Sequence, residues 1–340
     1  MIGAAHSSGA APITREEGTR MTTQMGDIEN LDRAATPSEV LQPIKARRRS
    51  LTWRERLTPW AFLAVPLTLY GVAVVYPTIA TFRLSLFRWD GLSPEVFVGF
   101  HNYVALFTTD PVFYRAVLNT LIWIALFLPL SVGTGLVLAV FLNQKIPGRG
   151  FLRVLFYLPF VLSAVASGLI WKWMYYPGVG LLDTALPWFG VETPPGWLSD
   201  PNIALFSVVV AAIWQATGSS MVLFLAGLQT IPDELYEAGR VSGAGELLLF
   251  RYITLPLLRE SFVITFSLAL IGSLNVFDIV YTMTLGGPAN STQVLGTWMY
   301  FQTFQFQNYG GGAAIATILV LVVGIIAIPY ISRTARANRD

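Results

Sequence analysis

Apolar residues run in long unbroken blocks along most of this chain instead of alternating with polar ones. Charged residues are absent from 57–82, 116–144, 154–171 and 201–232, and Asp278 is the only charge from 261 to 332. A membrane-spanning helix needs about 20 mostly apolar residues, whereas a barrel strand needs only about 10. The blocks therefore read as helices. The last must hold two, because Gly286, Gly287, Pro288 and a polar run to Asn308 divide it. The pattern predicts six spans, near 60–82, 116–140, 153–175, 203–228, 259–284 and 312–331. An all-α membrane protein follows, since lipid offers no partners to backbone polar groups and a helix satisfies its own.

Composition agrees with this pattern. Of 340 residues, 54% are hydrophobic and 12% charged, against roughly 25% charged in a soluble domain. Mean hydropathy is +0.57. Such a chain cannot cover a water-facing surface, which excludes a soluble enzyme, a disordered protein and a fibrous one. There is no cysteine, hence no disulfide framework, thiolate site or cysteine nucleophile. His6 and His101 fall in a polar tail and a loop, a poor basis for a metal site or triad.

Residues 1–56 are rich in Ala, Ser, Thr, Arg and acidic residues and carry no apolar run. They read as a disordered basic cytoplasmic tail, with Met21 and Met25 as alternative starts and no signal peptide. Residues 57–332 form the membrane domain, and 333–340 a short cytoplasmic tail. Orientation follows Lys and Arg, which mark the cytoplasmic side. They gather before span one (Lys45, Arg47, Arg48, Arg49, Arg54, Arg56), after span two (Lys145, Arg149, Arg153), between spans four and five (Arg240, Arg251, Arg259) and at the end (Arg333, Arg336, Arg339). The loop at 177–202 holds only acidic charges, and 285–311 holds none. Both termini are therefore expected in the cytoplasm.

One connection is too long and too patterned for a plain loop. Residues 229–260 read QTIPDELYEAGRVSGAGELLLFRYITLPLLRE. Pro232, Asp233 and Glu234 suit a helix start, with acids at the positive end of the dipole. Gly243 and Gly245 allow a turn or a close approach, and Pro256 predicts a bend into span five. Here the sequence resembles the membrane subunits of binding-protein-dependent ABC importers. These carry an EAA loop of Glu-Ala-Ala, three residues, Gly, nine residues, Ile, any residue, Leu-Pro. This chain has Glu237, Ala238 and Gly239, then Gly243, then Ile253, Leu255 and Pro256. It departs at Gly239, where Ala is usual, and at Ser242, where Asp is common. VGFHNY at 98–103, LNT at 118–120, RGFLRVLFYLP at 149–159, WLSDPN at 197–202, LFLAGLQTIPDELYEA at 223–238 and LGGPANSTQ at 285–293 look like the carbohydrate-uptake branch. VFDIVYTMTLGGP at 276–288 resembles its maltose/glycerol-phosphate first-permease type.

The resemblance implies a six-helix bundle of the type I ABC importer fold in a prokaryotic plasma membrane. Its cytoplasmic EAA coupling loop, 231–258, would dock on an ATPase dimer that carries the ATP and magnesium. It also implies a second EAA-type permease, an extracytoplasmic solute-binding protein received by the outer loops at 86–112, 177–202 and 285–311, and a sugar as cargo. No cofactor on this chain and no nucleic-acid partner are expected. The lysines Lys45, Lys145 and Lys172 do not follow glycine, so no phosphate-binding loop is present, and no catalytic constellation is visible. Polar residues inside the spans are candidates for the substrate path: Asn119, Gln215, Ser219, Asn275 and Asp278. The alternative for each is hydrogen bonding between helices. Asp278 should line a cavity or find a partner, Lys172 being one choice. Asn275, three residues earlier, should share its helix face. Three other readings stay open. One is a permease for another small solute, such as an amino acid, peptide or glycerol-phosphate. A second is an ion-coupled carrier, and the third a membrane-embedded enzyme.

Overall fold

The computed structural model describes residues 53–337; the tail at 1–52 and the last three residues lie outside it. The chain divides into two units after Thr68. Of the first unit, the described part is 53–68, most of helix α1, Trp53–Tyr70. A π-helical turn at Gly71–Val75 follows it, then α2, Tyr76–Leu84. A short antiparallel pair, β1 (Phe87–Arg88) and β2 (Val96–Phe97), precedes α3, His101–Thr108. Further helices follow, after a first membrane-length stretch at Phe62–Leu84. They are α4 (Pro111–Asn143), α5 (Arg149–Val161), α6 (Ala164–Met174) and, after the short α7 (Leu181–Ala185), α8 (Ala204–Leu228). The connecting segment holds α9 (Asp233–Val241), α10 (Glu246–Leu249), a π-helical turn at Phe250–Thr254 and α11 (Leu255–Leu257). Helices α12 (Arg259–Leu274), α13 (Asp278–Thr284), α14 (Leu295–Tyr300) and α15 (Tyr309–Ala337) complete the chain. The last helix runs into the stretch 333–337, read from sequence as tail.

Among the described residues, four helices are long and apolar enough to cross a membrane, or up to six if each of two bent pairs is one span. The first bent pair corrects a predicted span, and the second lies where Pro256 predicts a bend into span five. The one at 153–175 is α5 and α6, turned by 102°. Leu162 and Ser163 are extended there, and the Ser163 hydroxyl caps α6 by accepting from Ala166 N at 3.1 Å. The other bent pair is α10–α11 with α12, turned by 68° near Leu258. Pro256 has no N–H and its ring would strike the carbonyl four residues back. The π-helical turn before it widens the helix at that point, with Leu255 N donating to Phe250 O. Gly71–Val75 before Pro77 repeats the arrangement. The predicted span at 259–284 is also not one helix. It stops at Leu274 and restarts at Asp278, so Asn275 and Asp278 flank a break and do not share a helical face.

Packing centres on α4 against α8. A Cβ on Gly135 would sit 2.3 Å from Ser220 Cβ and 2.9 Å from Met221 N, so the two backbones nearly touch. Small residues permit such approach in membranes, where packing replaces hydrophobic drive between helices. Thr134 and Thr217 bridge the same pair by their hydroxyls at 2.9 Å. One buried cluster joins Trp123, Phe127, Trp171, Val208 and Val280; a second joins Leu142, Phe224, Leu228, Ile231, Leu258 and Leu270. A third joins Phe113, Trp298 and Ile315. Its polar seam is Asp110, which caps α4 through Val112 N and Phe113 N, both at 3.0 Å, and accepts from Trp298 Nε1 at 2.8 Å and Gln302 Nε2 at 3.3 Å. Asp110→Ala should cost about 1–2 kcal/mol from the lost cap alone. Asp110→Asn should keep part of the cap but lose the Trp298 tie. Thermal unfolding of the purified chain should rank wild type above Asn above Ala; Ala equal to wild type would contradict the assignment.

Candidate functional site

Two places bring the sequence candidates together. The first is the segment resembling the EAA loop. Helix α9 opens after Pro232 with Asp233 and Glu234 in its first turn, and ends in a left-handed glycine cap. Gly243 has φ +82°, its N–H donates to Arg240 O at 2.9 Å, and Ala244 N donates to Gly239 O at 3.0 Å. This paired bonding is the Schellman motif, which needs a residue free to adopt positive φ. A Cβ on Gly243 meets nothing within 4 Å, so the requirement here is one of conformation and not of space. The Ser242 hydroxyl donates to Ala238 O at 2.9 Å, closing the same turn.

One face of α9 lies on the rest of the segment. Tyr236 and Thr254 join hydroxyls at 3.0 Å, with Thr254 buried. A Cβ on Gly239 would stand 2.4 Å from Leu249 Cδ2 and 3.4 Å from Ile253 Cδ1. The departure from Ala at this position therefore leaves room for the buried Leu249. Leu255 is half-buried and Pro256 exposed at the bend. The opposite face of α9 is open. Leu235, Ala238 and Val241 lie three residues apart and are all exposed, Val241 to 89%, with Glu237 exposed beside them. Residues at i and i+3 share a helix face, so these three make an apolar stripe edged by acid. The stripe as a whole reaches beyond the EAA-like residues, of which only Ala238 belongs to it. Its signal was there, in apolar residues at 235, 238 and 241 of an otherwise charged helix. A cleft of about 840 Å³ runs between this segment and the end of α4, lined among others by Lys145, Asp233, Glu237 and Arg240.

The anchors of α9 matter as much as its surface. Ile231 just before it, Leu228 at the end of α8 and Leu258 at the start of α12 are buried in one cluster. The short helix thus hangs between two long ones.

The second place is a chamber of about 290 Å³ at the break between α12 and α13. Gln215 from α8, Asn275 and Asp278 all line it, together with Trp123, Phe127, Phe160 and Phe277. Gln215 Nε2 donates to Leu162 O at 3.0 Å, at the extended joint between α5 and α6. Asn275 Nδ2 donates to Ile271 O at 2.9 Å. Asp278 is exposed to the chamber, and the ion pairs among the described residues are Arg83–Glu95 and Arg240–Glu246, so Lys172 does not neutralise it. The aromatic walls went unnoticed in the sequence, although Trp123 and Phe127 stand one turn apart on α4.

The other two candidates lie elsewhere. Asn119 is buried and donates to both Ser291 O and Gln293 O at 2.8 Å, bracing α4 against the 285–294 turn. Ser219 gives its hydroxyl to Ala216 O at 2.8 Å and is absent from the chamber wall. Several acids of the 86–112 and 177–202 loops already have partners within the chain. Glu95 pairs with Arg83, and Asp183 accepts from Trp197 Nε1 and Gly178 N, both at 2.8 Å. Asp90 accepts from the Ser93 and Leu92 backbones and the Ser93 hydroxyl, which holds its carboxyl down to about 2.

Known proteins carry the same architecture. Residues 103–334 match the binding-protein-dependent transport system inner membrane component family. A probable ABC transporter permease of Pyrococcus horikoshii is 38% identical over 79% of this chain and 93% of its own length. The trehalose/maltose transport system permease MalF of Thermococcus litoralis is 34% identical over 85% of this chain and 97% of its own. The lactose transport system permease LacF of Rhizobium radiobacter is 34% identical over 82% and 95%. Among solved structures, a chain of a bacterial ABC transporter involved in import of the acidic polysaccharide alginate aligns at TM-score 0.72 and 23% identity, covering 83% of this chain and 97% of that one. That last likeness is one of fold. Long apolar helices, two of the predicted spans broken, and a family match across most of the membrane domain lead to one conclusion: this chain belongs to the binding-protein-dependent transport system inner membrane component family, the membrane-embedded permease subunits of ABC transporters.

Proposed function

We propose that this chain is the permease subunit of an ATP-driven sugar importer, and that it crosses the membrane six times with both termini in the cytoplasm. The observation that carries the coupling half of this reading is the exposed stripe of Leu235, Ala238 and Val241 on a helix anchored between α8 and α12. An amphipathic helix offering an apolar face is suited to a groove on a partner, here a cytoplasmic ATPase that supplies the hydrolysis. Glu237 at the edge of the stripe would pair with a basic group there. Curated relatives named for trehalose/maltose and lactose transport support sugar as the cargo. An exposed carboxylate, two amides and four aromatic rings in one chamber suit hydroxyl-rich rings. A second permease would complete the path, and an extracytoplasmic binding protein would deliver the sugar.

The chain has no cysteine, so single cysteines can be placed cleanly. With Val241→Cys in the assembled transporter, a short bifunctional reagent should join this chain to the ATPase, and the yield should change when ATP is added. In intact cells a membrane-impermeant maleimide should leave the same cysteine unlabelled. Labelling from outside would reverse the orientation and remove the coupling role of α9.

A further inference from the structure

The chamber at the α12–α13 break has an electrostatic sign as well as a shape. Asp278 is the one charged side chain in its wall, and no lysine, arginine or histidine lines it. The two amides add to the same sign. Gln215 and Asn275 each commit an N–H to a backbone carbonyl, on Leu162 and Ile271. Each therefore has its carbonyl oxygen uncommitted among the described hydrogen bonds. The uncommitted side-chain groups of Asp278, Gln215 and Asn275 are thus weighted toward acceptors, with two carboxylate oxygens and two amide oxygens against one remaining N–H on each amide. A guest must mostly donate. Hydroxyls do so, and ammonium groups do so more strongly because a charged donor roughly doubles the bond. A carboxylate or phosphate finds no cation and meets a like charge. The volume, about 290 Å³, lies at the small end of the range of roughly 300–1,000 Å³ for small-molecule sites, so any sugar ring held here lies close to Asp278.

We propose that Asp278 is a specificity-determining residue that makes this chamber a charge filter, admitting neutral and amino sugars and rejecting uronates and sugar phosphates. The inference rests on the sugar reading given above and adds the sign of the cargo to it.

Three probes share one pyranose frame and differ in charge: glucose, glucosamine and glucuronate. Their binding to the purified, assembled importer, without binding protein, can be followed by saturation-transfer NMR. Glucose and glucosamine should bind, and glucuronate should bind at least about tenfold more weakly, as a like-charge contact requires. Asp278→Asn, which keeps the shape, should bring glucuronate level with glucose and remove the advantage of glucosamine. Asp278→Glu should preserve the wild-type order, which guards against loss through misfolding. Glucuronate binding to wild type as tightly as glucose, or an unchanged order in Asp278→Asn, would overturn the filter. Binding of none of the three to an importer that still hydrolyses ATP would remove the sugar reading itself, and the filter with it.

Discussion

Valine at position 218 should leave little folded protein. A Cβ at Gly218 would lie 2.6 Å from Phe156 O and 2.9 Å from Tyr157 Cα. Both obstacles are backbone atoms of α5, so no rotamer change relieves them. Either α8 or α5 must move, and the two are tied by the Gln215 bond to Leu162 one turn away. Overpacking a close contact costs typically about 1–3 kcal/mol and occasionally more; with the obstacle in the main chain, the upper end is expected. The measurement is the yield and melting temperature of the detergent-purified chain. Gly218→Ala should fall between wild type and Gly218→Val. Gly133→Val is the control, because a Cβ there meets nothing within 4 Å, and it should behave as wild type. Equal stability of the valine variants at 218 and 133 would mean that α5 and α8 do not approach as described.

The second large effect is on transport with the membrane domain intact. Gly243→Val places a β-branched residue at φ +82°. The left-handed region costs a residue with a Cβ roughly 1–2 kcal/mol, and branching makes it a true outlier. The two closing bonds to Arg240 O and Gly239 O then compete with that strain. The last turn of α9 is where Val241 and Ala238 stand, so the exposed stripe loses its form while the buried anchors Leu228, Ile231 and Leu258 keep their places. Uptake should fall by more than about tenfold, the equivalent of about 1.4 kcal/mol of lost coupling, at unchanged expression and melting temperature. Gly243→Asn should recover much of it, since Asn tolerates the left-handed region. A valine variant that transports at the wild-type rate would show that the end of α9 has no part in coupling.

Much of this architecture could be read from hydropathy, and the misses have a common physical cause. The block at 203–228 became α8, Ala204–Leu228, because nothing inside it opposes a helix. Proline at 159 predicts a kink in the third span, but the break falls at Leu162–Ser163, and that joint and the one at 275–277 are built of ordinary residues. Pro159 lies three positions before the first break and still sits inside α5. What opens each joint is tertiary: Gln215 satisfies Leu162 O, and the chamber wall takes up Asn275–Phe277. The same limit applied to the polar candidates. Asn119 and Gln215 carry the same signal in a sequence, an amide in an apolar run. Only their partners distinguish the brace at Ser291 and Gln293 from the chamber wall. The EAA-like spacing placed Gly243 correctly in a turn, whereas the tight contact turned out to belong to Gly239.

The shared anchorage of Ile231, Leu228 and Leu258 has a mechanical result. Gln215 stands thirteen residues along α8 from Leu228, and at 1.5 Å rise per residue that is an arm of about 20 Å. A swing of roughly 10° about the anchored end moves the amide by about 3–4 Å, comparable to the radius of a pyranose. Asn275 rides at the tip of a second arm of similar reach, α12, fixed at the same pivot. A rotation at the pivot would therefore displace Gln215 and Asn275 together, and with them two sides of the same chamber.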